Sequence, residues 1–109
     1  MDIRIESPNY PLKASLNRYL RRRLTEEFAF CDGRIGGVRA CFSHCSTRSG
    51  CIDKQCQLVV RIDDSAEVIV RSAETDLFVA IRQAVDRLHK ALTRRIGHDL
   101  LSQRAQAAA

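Results

Sequence analysis

The stretch whose reading decides the fold is SAETDLFVAIRQAVDRLHKAL, residues 72–92. From Leu77 onward it has the period of a helix: Leu77, Ile81, Ala84, Val85, Leu88 and Leu92 recur at spacings of three and four, and Ile96 extends the stripe. Thr75 is placed to cap this helix, and Asp76 stands where the helix dipole favours negative charge. Opposite the apolar stripe, Arg87, Lys90 and Arg94 fall within roughly 60° of one another at about 100° per residue, with Arg82 further round. Gly97 is expected to weaken the last turns, so that residues 1–101 form one domain and SQRAQAAA, residues 102–109, a short flexible tail.

A helix with one apolar stripe needs a surface to bury it against, and the residues before it supply one. AEVIVRSA, residues 66–73, reads as a strand entered through a tight turn at Asp63, Asp64 and Ser65. In QCQLVVRID, residues 55–63, the apolar side chains Cys56, Leu58, Val60 and Ile62 share one face. In IGGVRACFS, residues 35–43, Val38, Ala40 and Phe42 do the same, and Gly36 and Gly37 weaken the start or allow a bulge. A polar loop from His44 to about Lys54 joins those two strands. Earlier still, Leu12, Leu16, Tyr19, Leu20, Leu24 and Phe28 mark an amphipathic helix with Pro11 in its first turn, ending near Cys31 before the turn signal Asp32-Gly33. Ile3 and Ile5 alternate with charged residues in a short first strand. The order is β-α-β-β-β-α. The economical arrangement is α+β: a four-stranded sheet with both helices packed on one face.

The chain of 109 residues has a net charge of +5, and the excess is not spread evenly. Residues 9–30 and residues 75–109 each carry +3, residues 31–74 balance to zero, and residues 1–8 sum to −1. The positive charge therefore sits in the two helical segments, which is how a surface for a polyanion is built. On the first helix Arg18, Arg21 and Arg22 point away from the stripe within roughly a 100° arc, and Arg23 lies on its apolar edge. No apolar run spans a bilayer, and MDIRIES lacks the pattern of a secretory signal, so the chain is expected to be complete and cytoplasmic. No Gly-rich phosphate loop or other enzyme signature occurs.

Ser72-Ala73-Glu74, Asp76-Leu77-Phe78, Ala80-Ile81, Asp86-Arg87-Leu88, Lys90 and Leu92, in this order and spacing, resemble the last helix of the bacterial ribosome hibernation-promoting factors and ribosome-associated inhibitors, the sigma-54 modulation protein family. The likeness covers residues 1 to about 96 through strand order, length and the basic first helix. It implies a fold like the double-stranded-RNA-binding domain and binding to the small ribosomal subunit and its rRNA near the decoding channel. It further implies inhibition of translation in stress or stationary phase, without catalysis, membrane or small-molecule substrate, and a monomer off the ribosome. The basic positions it carries over are Arg87, Lys90 and Arg94 with Arg95 beside them, and Arg22 and Arg23 on the first helix. With Arg18, Arg21 and Arg82 these make the expected RNA-binding set. Rigid arginine-rich helices suit phosphate-dense folded RNA, because the planar guanidinium binds phosphate through a fork of donors.

This chain departs from the family pattern in three ways. Arg82 stands where an acidic residue is common, and Phe78 where a tyrosine is. The chain stops soon after the helix, as a short form would, leaving open whether ribosomes are paired or kept single. The third departure is CFSHCSTRSGCIDKQC, residues 41–56, with four cysteines and a histidine. Cys41, His44, Cys45, Cys51 and Cys56 are the residue types of a tetrahedral zinc site, but no C-x-x-C pair preorganises them, and strand alternation puts Cys41 and Cys56 on opposite faces. The expectation is therefore no cofactor, with zinc as the alternative, and a zinc- or redox-responsive regulator or a binder of another structured RNA as the competing functions. With five cysteines, complete internal pairing is impossible. Cys31 is expected to pack at the end of the first helix, and His89 to lie on the surface beside the RNA face.

Overall fold

The structure is a computed structural model that describes the backbone of residues 1–8, 11–46, 52–63 and 66–108, with side chains over the same ranges except 45–46, 52 and 98–108. Strand β1 (Ile3–Glu6) leads to helix α1 (Ala14–Glu27) and a 3-10 segment (Ala29–Arg34). Strands β2 (Ile35–Ser46), β3 (Ile52–Ile62) and β4 (Ala66–Glu74) follow, and helix α2 (Leu77–Ala108) closes the chain. The sheet order is β1-β2-β3-β4. β1 runs parallel to β2, so α1 serves as the crossover that parallel neighbours require, and the other pairs are antiparallel.

The alternation in β2 and β3 is realised as one buried face. Val38, Ala40 and Phe42 join Cys56, Leu58, Val60 and Ile62 in a single core. The helices supply the other layer: Leu16, Leu20, Leu24 and Phe28 from α1, and Leu77, Ile81, Ala84, Val85, Leu88 and Leu92 from α2. Phe28, Phe42, Leu20, Leu58, Leu88 and Leu92 are fully buried. Both helices therefore cover the same side of the sheet, and its other side is left open. Cys31 is buried at the end of α1, where its thiol approaches the carbonyl of Phe28 at 3.7 Å.

Several boundaries differ from the sequence reading, each for a local reason. α1 begins at Ala14, three residues beyond Pro11, because the carbonyl of Lys13 accepts the first helical bonds from Leu16 and Asn17. The strands of the β2–β3 hairpin extend into the expected loop, pairing continuously to Ser46 opposite Ile52, because cross-strand pairing carries polar residues that periodicity alone assigns to a turn. The glycine pair produces the anticipated irregularity: the β2–β3 register shifts between Ile35 and Gly37. α2 runs through Gly97 to Ala108, across the segment read as a tail. A single glycine costs a helix only about 1 kcal/mol relative to alanine, too little to stop a long one.

Candidate nucleic-acid interface

Residues between β4 and α2 fix the last helix in place. Ser72, the one buried polar residue among those described, donates its hydroxyl to the carbonyl of Ala80. Gln83 donates to the Glu74 carboxylate at 2.8 Å. The cap is Asp76 rather than Thr75: its carboxylate accepts the backbone N–H of Phe78 at 2.8 Å, satisfying a donor in the first turn. Much of the 72–83 signature thus has a structural task, setting the rotation and height of α2 against the sheet.

That rotation decides where each basic residue goes. Arg82, Arg87, Lys90, Arg94 and Arg95 are all exposed, as are Arg18, Arg21 and Arg22 of α1. Arg22 and Lys90 occupy the outer faces of their helices, furthest from the sheet by helical geometry, with Arg18 close to the outer face of α1 and Arg82 about 80° round from Lys90, on the side away from Arg87 and Arg94. Arg87 and Arg94 lie on the flank of α2 nearest β4, where an Arg87 Nη1 donates to the carbonyl of Arg71. Three of the expected residues are turned elsewhere. Arg21 is drawn toward β1, its Nε bonded to the Asn17 side chain at 2.7 Å and an Nη1 to the Ile3 carbonyl at 3.3 Å. Arg23 is half-buried between the helices, bridging Glu27 at 3.3 Å and Asp86 at 3.6 Å, with its guanidinium 6.0 Å from the centre of the Tyr19 ring. Arg95 falls on the side of α2 that carries the apolar stripe, and its charge acts on Asp63 in the β3–β4 turn.

The seam between the helices also holds features that periodicity does not display. Tyr19 and Phe78 meet edge-on with ring centres 5.3 Å apart, and Phe78 remains half exposed. His89 lines the seam, its Nδ1 3.6 Å from Glu27 and its ring 5.7 Å from the exposed Phe30, while its side chain stays partly exposed at the surface. No pattern within one helix forecasts these pairs, because each joins residues from different elements.

The open side of the sheet is charged but balanced. Its rows place Arg4 beside Arg39, Arg61 beside Glu67, and Glu6, Cys41, Gln57 and Arg71 across one line. Arg4 pairs with Asp2 at 3.6 Å, and Arg71 donates to Gln57 at 3.1 Å. The helix side, by contrast, carries four arginines against two glutamates on α1, and four arginines and a lysine against Asp86 on α2 up to Gly97.

Residues 3–97 match the family described as sigma 54 modulation protein / S30EA ribosomal protein. The chain belongs to this family. Among solved structures it is similar to the N-terminal domain of Thermus thermophilus Protein Y, at 22% identity and a TM-score of 0.68, over 86% of this chain and 98% of that one. It is also similar to a ribosomal subunit interface protein from Coxiella burnetii, at 12% identity and a TM-score of 0.74, over 89% and 99% of the two chains. At these identities the structures attest the shared fold. No curated protein matches the chain.

The three described cysteine side chains occupy different settings. Cys56 is fully buried in the core, and burial pushes its thiol up to about 12. Cys41 is on the open face, where it donates to Glu6 at 3.5 Å, and partial burial together with that carboxylate raises its pKa too. Burial also raises Cys31. These three thiols are therefore held away from the thiolate form that a nucleophilic cysteine uses. Cys41 and Cys56 reach opposite sides of the sheet, so one ion cannot take both, and His44 follows Cys56 rather than Cys41 in the alternation of β2 and β3. Cys51 and the side chain of Cys45 lie outside the described residues. Among the described residues no group of three or more histidine, cysteine or acidic side chains is placed to hold a metal ion. No described helix is long and apolar enough to cross a membrane.

Proposed function

We propose that the protein is a ribosome hibernation factor that binds rRNA of the small ribosomal subunit through its helix side. Seated near the decoding channel, it inhibits translation under stress or in stationary phase. The observation that carries the reading is the asymmetry of charge in a member of this family. The exposed basic residues of α1 and α2 stand in excess on one side of the molecule, while the open sheet face is neutralised by its own acids. In this reading Arg18 and Arg22 from α1 and Arg82, Arg87, Lys90 and Arg94 from α2 meet phosphates. Arg23 orients the helices relative to each other, Arg21 ties α1 to β1, and Arg95 lends its charge to Asp63 in the β3–β4 turn. A rigid two-helix surface of this kind positions itself on folded RNA by shape and backbone charge, without reading bases. No reaction is assigned to it.

The test is competition on purified small subunits. Subunits carrying mRNA and labelled tRNA are titrated with the protein, and retained tRNA is measured by filter binding. The reading requires tRNA to be displaced as the protein binds. Stable simultaneous binding of both would overturn placement in the decoding channel, and absence of binding to the subunit would overturn the function itself.

A further inference from the structure

β4 ends the sheet order, so its outer edge has no neighbouring strand among the described residues. Every second residue of such an edge turns its N–H and C=O outward, which makes it a template for another strand. Edges are commonly guarded by a proline, a bulge or a charge laid over the backbone. AEVIVRSAE contains no proline, and its register against β3 is continuous from Ile62 opposite Ala66 to Lys54 opposite Glu74. The one guard described is Arg87, which covers the carbonyl of Arg71.

The sequence of this edge is complementary to itself. If two copies of β4 pair antiparallel about a two-fold axis at Ile69, Glu67 faces the partner's Arg71, Arg71 faces the partner's Glu67, and Val68 faces the partner's Val70. Moving the axis by one residue in either direction sets Glu67 or Arg71 against Ile69, so only one centre satisfies both charges. Glu67, Ile69 and Arg71 lie on the open face, and Ile69 is 50% exposed there. Ile69 stands beside the buried Val59 in the β3–β4 register. Pairing at this centre joins the two Val59–Ile69 rows into one apolar strip, bordered on each side by a Glu–Arg pair.

We propose that the outer edge of β4 is a docking strand for the same edge of a second copy of this chain, centred on Ile69 and fixed in register by Glu67 and Arg71. An isologous contact with the axis normal to the sheet gives a continuous eight-stranded sheet with all four helices on one side. The proposal is independent of what the helices bind. The Arg87 bond to Arg71 is exchanged for strand pairing, so association is weak and depends on concentration.

Sedimentation equilibrium over a concentration series tests it with Glu67→Arg and Arg71→Glu variants, each checked for folding by circular dichroism. Wild type is expected to dimerise. Each single variant sets like charges opposite one another at two places and weakens the dimer by about tenfold. An equimolar mixture of the two variants recreates both opposite-charge pairs and restores association. A wild type that stays monomeric at all concentrations, or a mixture that associates no better than the single variants, would overturn the proposal.

Discussion

The two sides of this molecule both carry arginines but use them differently. On the open sheet face Arg61 stands across from Glu67 and Arg71 from Gln57 in the strand register, while Arg4 pairs along its own strand with Asp2. On the helix side Arg18, Arg22, Arg82, Lys90 and Arg94 project from the outer and flanking faces of two helices that lack enough acids to match them. The difference is geometric as much as compositional. A sheet brings residues from neighbouring strands within about 5 Å, so opposite charges are readily placed side by side. A helix separates its outer residues from everything but their own neighbours three and four positions away; there Glu26 is the one acid near Arg22, Asp86 is shared by Arg82 and Lys90, and Arg18 and Arg94 have none, so basic charge is left in excess. Charge that meets its partner within the fold contributes a little stability, whereas charge left over is available to a ligand.

The most damaging way to break this contrast is to reverse charge on the outer helix faces. Arg22→Glu combined with Lys90→Glu is expected to weaken small-subunit association on the order of a hundredfold or more, since each contact of a charged group to phosphate is worth roughly 1.5–3 kcal/mol. Co-sedimentation at fixed salt measures this, with unchanged denaturant midpoints showing that the fold is intact.

A second substitution separates anchoring from binding. Ser72→Ala removes the hydroxyl that ties β4 to the Ala80 carbonyl. A loss of about 1–3 kcal/mol in urea unfolding is expected, with little change in subunit affinity below the transition. Asp76→Ala is expected to cost about 1 kcal/mol by the same measurement, because it removes the cap, while Thr75→Ala leaves stability nearly unchanged. Equal effects at the two positions would contradict the cap assignment.

The smallest effect belongs to the turn that closes the sheet. Arg34 grips Asp63 through Nη2 at 2.6 Å and Nε at 3.2 Å, and this holds the Asp63 carboxyl below its ordinary pKa, with Arg95 adding to the effect. A carboxyl depressed in the folded state adds stability above its unfolded pKa and loses it as pH falls through the lower folded value. Asp63→Asn should therefore narrow the stability gap to wild type as pH drops into the acid range and leave the largest gap near neutrality. Because the pair is exposed, the gap is small. A gap that widens with acid would contradict the account.

The element order, the two-layer arrangement and nearly all of the core were legible in the sequence, because periods of two and of three to four report burial directly, whereas the order of strands in the sheet was not. Val38, Ala40, Phe42, Leu58, Val60 and the α2 stripe required nothing more. The basic helix faces were legible in outline for the same reason. What the sequence did not reveal depends on a second element: Arg21 reaches to β1, Arg23 to α2, and Arg95 to the β3–β4 turn. A helical wheel gives direction but not the neighbour met in that direction. The cap was misplaced by one residue because Thr75 and Asp76 both suit the position, and only the hydrogen bond to Phe78 distinguishes them. The opposition of Cys41 and Cys56 was legible from alternation, and the register supports it.

The central claim is that the helix side, and not the sheet side, meets RNA. The most direct measurement is the slope of log affinity against log salt for small subunits. It compares wild type, the triple variant Arg87→Ala, Lys90→Ala, Arg94→Ala, and the sheet variant Arg39→Ala, Arg61→Ala. Loss of three phosphate contacts should flatten the slope of the helix variant by about 3, since each contact contributes roughly one counterion, and the sheet variant should match wild type. A flattened slope in the sheet variant with an unchanged helix variant would contradict the account.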